Sequence, residues 1–191
     1  MKKLLLNKKF IAIGIVIVII AIFVLLFKDN IMKMIYPKKY EEYVSIYADK
    51  YQVGENLIFA LIKAESNFNK DSVSNKGAIG LMQLMEETAI DVANKNNIEL
   101  DKENIREDLL KVDKNIDIGT KYLSMMLERY GNIEIALAAY NAGIGTVDNW
   151  IEKGIINSDG SNIENIPYKE TNIYVRKILR DYKIYSSLYE G

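Results

Sequence analysis

The chain has 191 residues, 49% hydrophobic and 27% charged, and its 25 basic and 26 acidic side chains leave a net charge of −1. It holds no histidine and no cysteine, which excludes Ser-His-Asp and Cys-His catalysis, thiol nucleophiles, disulfides and Cys/His zinc sites. Length and composition fit one globular domain, and the charge balance offers nothing to nucleic acid.

Residues 1–27 carry Lys2, Lys3, Lys8 and Lys9 and no acid. From 10 to 27 the sequence FIAIGIVIVIIAIFVLLF is unbroken apolar, about 27 Å of helix at 1.5 Å per residue, close to the thickness of a bilayer core. The run exceeds a signal-peptide core and no small-x-small cleavage site follows it. It predicts an uncleaved transmembrane anchor, with 1–9 as a cytoplasmic tail, 28–39 as a linker and 40–191 as an extracytoplasmic domain on a single-pass membrane protein. The lysine-rich tail favours that orientation, although Lys28, Lys33, Lys38 and Lys39 weaken the asymmetry. A lipid-anchored cysteine is excluded.

Beyond the anchor, two prolines and apolar residues at helical spacing predict an all-α domain. A first helix covers 38–51, with Tyr40, Tyr43, Val44 and Tyr47 on one face, and Gly54 ends it. A second covers 56–66, striped by Leu57, Ile58, Leu61 and Ile62. After a turn-rich stretch over 67–80, helices are predicted at 81–96, 105–110, 114–130, 133–141, 146–152 and 168–189, with a polar loop over 154–166 and Pro167 as the first residue of the last helix. Asp113, Asn115 and Asp117 imitate the opening of a calcium loop, but the glycine and glutamate it needs at positions six and twelve are Ile118 and Ser124. They read instead as a helix start that packs Ile116, Tyr122 and Leu123 inward, so no metal site is predicted.

The second helix carries its apolar stripe onto Glu65, four residues beyond Leu61 and three beyond Ile62. A carboxyl so placed is partly desolvated, which raises its pKa toward the range of a proton donor at neutral pH. Spacing alone leaves the plainer alternative open, in which Glu65 bends outward at the helix end or pairs with Lys63 or Lys70.

Five ordered segments bear on that choice: ESNF (65–68), SNKGAIGLMQLM (74–85), NIDIGTKYL (115–123), AAYNAG (138–143) with Val147 and Trp150, and IPYKET (166–171) with Tyr174 and Val175. Together they resemble the lytic transglycosylase family, whose catalytic domain has a goose-type-lysozyme-like fold with a cleft, and the match runs from about 40 to 185. The resemblance implies that Glu65 is the single acid/base for the bond between N-acetylmuramic acid and N-acetylglucosamine in peptidoglycan, giving 1,6-anhydro ends without a second carboxylate or any cofactor. It implies substrate-binding roles for Ser74 near an N-acetyl group, Gly77 in the loop, Gln83 as amide donor and acceptor, Met85 on a sugar face, and Tyr140 with Asn141 opposite the acid. The plainer alternative for Tyr140 is a core tyrosine with a satisfied hydroxyl. Glu170 takes a supporting role through Tyr140 or a backbone amide. Leu81, Met82 and Leu84 read as core. Implied partners are glycan strands, the membrane through the first helix, and cell-wall or secretion machinery. The family pattern has proline after LMQLM, where this chain has Glu86, a residue that raises the rival of a muramidase using water. A non-catalytic peptidoglycan-binding or assembly protein is the other rival.

Overall fold

The computed structural model describes residues 2–190, with side chains from Phe10 onward. Contacts divide the chain into two compact units, Met1–Pro37 and Lys38–Gly191. The first is a single helix, α1 (Lys2–Ile35). Its segment Phe10–Ile35 is long and apolar enough to cross a membrane. The helix does not stop where the apolar run ends, and it continues through most of the residues read as a linker.

The second unit is all-helical, and no β-strand occurs among the described residues. Its helices are α2 (Glu41–Tyr51), α3 (Glu55–Ser66), α4 (Glu86–Asn96), α5 (Ile105–Leu109), α6 (Val112–Tyr130), α7 (Ile133–Ala142), α8 (Ile144–Glu152) and α9 (Lys169–Tyr189), with a 3-10 turn at Ile163–Asn165 inside the predicted polar loop. Helix α3 is the axis of the unit. Leu57 through Ile62 are all buried, including Phe59 and Ala60 outside the predicted stripe. A helix apolar on every side belongs inside a domain, and α9 packs along α3 while α7 packs on α9 and α6. Each large side chain fully buried here, such as Phe59 or Leu61, contributes about 1.5–3 kcal/mol. Lys38 secures the start of the unit. Its ammonium lies 3.5 Å from Glu41 and 3.6 Å from Glu55, and sits 4.9 Å over the Tyr189 ring.

The structure corrects several predicted boundaries. The first helix of this unit begins at Glu41, because Tyr40 adopts φ 61, and its buried face is Val44 and Ala48 rather than the tyrosines. The helix predicted over 81–96 begins only at Glu86. Gly80 and Gln83 adopt φ 78 and φ 47, which no helix accommodates, so Leu81, Met82 and Leu84 are buried from a knotted turn. Periodicity cannot separate a short buried helix from a short buried turn. Helix α9 begins at Lys169 with Tyr168 as its cap, which leaves Pro167 outside it.

Asn115 of α6 holds the knot. Its Oδ1 accepts from the Met82 N–H at 2.8 Å, and its Nδ2 donates to the Ile79 and Leu109 carbonyls at 3.0 and 2.8 Å. The approach is close enough that a Cβ on Gly80 would collide with the Asn115 amide and lie 2.6 Å from the Leu109 carbonyl oxygen. Gly119 likewise leaves room only for Met82. The calcium-loop imitation is thereby accounted for. Asn115 is turned inward onto backbone, and Asp117 accepts from Lys50 and Tyr51.

Asn115→Ala strands three buried backbone groups at once, with an expected cost of about 3 kcal/mol. Urea unfolding of the full chain in micelles measures it: the midpoint falls, whereas the exposed Lys95→Ala shifts it by no more than about 0.5 kcal/mol equivalent.

Candidate active site

Glu65 lies on the last turn of α3, and the way that helix ends aims it. Asn67 and Phe68 both adopt left-handed φ, 49 and 64. The sharp exit buries Phe68 beside Phe59, with ring centroids 6.4 Å apart. Ser66 donates its hydroxyl to the Leu81 carbonyl at 2.8 Å, tying the helix end to the knot. Glu65 is thus fixed between a buried helix and a rigid loop, at the wall of a cavity of about 580 Å³.

The carboxyl of Glu65 accepts a 2.6 Å hydrogen bond at Oε1 from the Tyr174 hydroxyl. Burial pushes its pKa up to about 7, against the opposing effects of the Tyr174 hydrogen bond and the Lys177 charge. Lys177 stands behind it, donating to the Ala64 carbonyl at 3.1 Å. Tyr174 and Tyr140 are both pushed well above the ordinary phenol range, chiefly by burial and next by the Glu65 charge. Both phenols therefore stay protonated. With Oε1 engaged by a donor, Oε2 is the oxygen left to carry a proton, and near neutral pH this group can give one up and take it back.

The structure brings the other sequence-derived residues to the same cavity with one exception. Ser74, Gln83, Met85, Tyr140, Asn141 and Glu170 line it with Glu65. Gly77 does not line it. It closes the tight turn below Ser74, donating its N–H to the Ser74 carbonyl at 2.9 Å with φ 86, a conformation that suits glycine. The Ser74 hydroxyl oxygen accepts from the Ala78 N–H at 3.0 Å and keeps its own proton for a ligand. Gln83 is more restricted than its residue type suggests. Its Nε2 donates to the Ser72 and Gly80 carbonyls at 3.1 and 2.9 Å, leaving the amide oxygen for a ligand. Met85 is exposed at the rim. Asn141 is steadied by the Thr171 hydroxyl, which donates to its Oδ1 at 2.8 Å.

One expectation about partners does not hold. Tyr140 gives its hydroxyl to the Met82 carbonyl at 3.0 Å, so it braces the knot and contacts neither Glu65 nor Glu170 through that group. Glu170 does not hold the cleft through Tyr140. It stands exposed in the first turn of α9, 3.8 Å from Lys76. The residues the sequence reading missed are Tyr174, noted there only as part of a motif, and Tyr122. The Tyr122 ring lies 4.9 Å from that of Tyr140 and lines an adjoining pocket of about 210 Å³ instead of joining the core. Glu86 lines neither cavity. No cluster of three or more potential metal-ligating side chains occurs among the described residues. Volume does not single out this cavity, since depressions of about 620 and 600 Å³ lie elsewhere on the unit. What distinguishes it is a half-buried carboxyl whose pKa is raised to about 7 and which accepts from a buried tyrosine, in a cavity with several fixed hydrogen-bonding groups.

Residues 42–159, more than half of the chain, match the family model described as the Transglycosylase SLT domain. The soluble lytic murein transglycosylase of Salmonella typhimurium is 34% identical over 146 residues, which is 75% of this chain and 22% of the relative. A membrane-bound lytic murein transglycosylase C of Edwardsiella ictaluri is 36% identical over 121 residues, 57% of this chain and 32% of that one. Among solved structures, an inactive Glu-to-Gln mutant of the lytic transglycosylase Slt of Pseudomonas aeruginosa superposes with a TM-score of 0.73 at 33% identity, covering 82% of this chain and 25% of that one. The chain thus spans between about a fifth and a third of the length of these relatives. Its lysozyme-like helical unit, with the cleft at the end of α3, belongs to the lytic transglycosylase family, as a Transglycosylase SLT domain.

Proposed function

We propose that this protein is a peptidoglycan lytic transglycosylase, tethered to the cytoplasmic membrane by α1, in which Glu65 acts alone as acid and base. The observation that carries the reading is that the cavity presents one half-buried carboxyl with a pKa near 7, and the one other carboxylate among its described lining residues, Glu170, is exposed and paired with Lys76. Two-carboxylate hydrolysis needs a second group at about 5–9.5 Å in a catalytic environment. The chemistry proposed here needs none. Protonated Glu65 gives its proton from Oε2 to the glycosidic oxygen between N-acetylmuramic acid and N-acetylglucosamine. The bond from that oxygen to the muramoyl anomeric carbon breaks. The muramoyl 6-hydroxyl then attacks the same carbon and passes its proton to the Glu65 carboxylate, which closes the 1,6-anhydro ring and restores the acid. Tyr174 steadies the carboxylate formed between the two steps, and the amide oxygen of Gln83 with the hydroxyl of Ser74 supplies polar contacts suited to acetamido groups. That the Pseudomonas aeruginosa relative is inactive as a Glu-to-Gln mutant supports the choice of a glutamate.

The full chain in detergent, incubated with purified peptidoglycan, is expected to release anhydro-muropeptides by mass spectrometry, and Glu65→Gln to lose activity by several orders of magnitude. Reducing-end products one water heavier would replace this reading with hydrolysis. Because the acid form is the active one, kcat/KM falls as pH rises through about 7. Tyr174→Phe removes a hydrogen bond that favours the ionised carboxyl, so the alkaline limb moves to higher pH and kcat drops about 10- to 100-fold. A profile unchanged in position would remove Tyr174 from the mechanism.

Folding stability carries the same signature. The folded pKa of Glu65 is raised from 4.5 to about 7, so the stability gained from its protonated form is complete below about 4.5 and is lost as pH rises through about 7. Glu65→Gln should therefore equal the wild type in stability at about pH 4 and exceed it at pH 8 in thermal melts. Carbonate washing of expressing cells tests the tether: the chain remains in the membrane pellet, and its release into the supernatant would contradict the proposal.

A further inference from the structure

The cavity wall is electrically lopsided. The smaller section, which holds Tyr122, Thr88 and Leu84, has no charged side chain among its described lining residues. The larger section has three, Glu65, Lys76 and Glu170, and among its described lining residues Lys76 is the one cation. Lys76 is carried by the turn that Ser74 and Gly77 close, so its backbone is fixed while its side chain is 83% exposed. Its ammonium lies 3.8 Å from Glu170 Oε2, itself on a side chain 79% exposed. The pair joins the loop to the first turn of α9 beside the mouth of the cleft.

An exposed pair of this kind is weakly held, because water competes for both ions and two long side chains must be ordered to keep it. It can therefore exchange partners at little cost. Glu170 loses little by release, since it stands in a helix first turn, where the macrodipole favours a negative charge.

Under the reading proposed above, on which this inference rests, the ligand is a glycan whose repeating sugars are neutral. Its carboxylates belong to the short peptide attached to the lactyl group of each muramic acid. A charged wall has no counterpart in the sugars and has one in that peptide. We infer that Lys76 is a specificity-determining residue that exchanges Glu170 for a stem-peptide carboxylate, so that the larger section of the cavity reads peptide-bearing glycan while the smaller, uncharged section holds sugar alone. The step is ionic exchange, and no covalent bond changes.

The test compares two substrates with the full chain in detergent: peptidoglycan strands carrying their native stem peptides, and the same strands with the stem-peptide carboxylates converted to primary amides by carbodiimide and ammonium chloride. Wild type should prefer the native strands by about two- to fivefold in kcat/KM, the size of one solvent-exposed ionic contact. Lys76→Ala should erase that preference through a rise in KM, with turnover of amidated strands unchanged, and Lys76→Arg should restore it. The amidated-strand rate also reports that each variant is folded. A wild type without preference, or a Lys76→Ala loss of equal size on both substrates, would overturn the inference while leaving glycan cleavage standing. Wild-type silence on both substrates would overturn the cleavage reading and this inference with it.

Discussion

The constraint on which the site depends is the burial of α3. A helix with an apolar residue on every side over Leu57–Ile62 has no solvent face to rotate toward, so its direction and register are fixed by the elements around it, and its final turn delivers Glu65 where α9 already stands. Desolvation then has a chemical consequence. The carboxyl is kept in its acid form at a pH where an exposed glutamate would be ionised. Tyr174, on α9, answers part of that penalty by donating to Oε1. The helix pair that makes the core is thus also the pair that sets the proton affinity of the site.

The second wall is held by different means. Between Gly80 and Leu84 the backbone turns too tightly for any regular element, and side chains from three helices bond to its polar groups. Ser66 of α3 donates to the Leu81 carbonyl, Tyr140 of α7 to the Met82 carbonyl, and Asn115 of α6 accepts from the Met82 N–H while donating to the flanking Ile79 and Leu109 carbonyls. Buried backbone that is fully partnered is rigid. Ser74, ahead of the turn, and Gln83, within it, inherit that rigidity. The cleft residues therefore rest on polar networks, whereas the acid rests on apolar packing.

Much of this was legible before any coordinates, and the pattern of success has a physical reason. The all-helical class, the core roles of Leu81, Met82 and Leu84, and the arrival of the apolar stripe at Glu65 are local statements about spacing, which a sequence carries directly. What stayed hidden was long-range. Tyr174 and Glu65 are 109 positions apart, and nothing near either residue announces the other. Asn115 and Met82 are 33 apart, and a buried asparagine in a motif resembling half a calcium loop gives no sign that it will bond to backbone. Tyr122 sits at helical spacing with core residues, yet its ring lies tilted against that of Tyr140 and lines the pocket adjoining the cleft. The turn over 81–85 was read as helix because three buried apolar side chains in five residues satisfy either structure. Its glycine at position 80 was the available signal, as a left-handed residue in front of an apolar run argues against a helix there.

The proposed chemistry turns on one proton held by one carboxyl. The most direct measurement is a carboxyl carbon-13 NMR titration of the full chain in micelles, with the Glu65 resonance assigned by its loss in Glu65→Gln. The account predicts a single transition for Glu65 near pH 7. A transition near 4.5, the value of an ordinary glutamate, would leave the group ionised at neutral pH and contradict its proposed role as the acid.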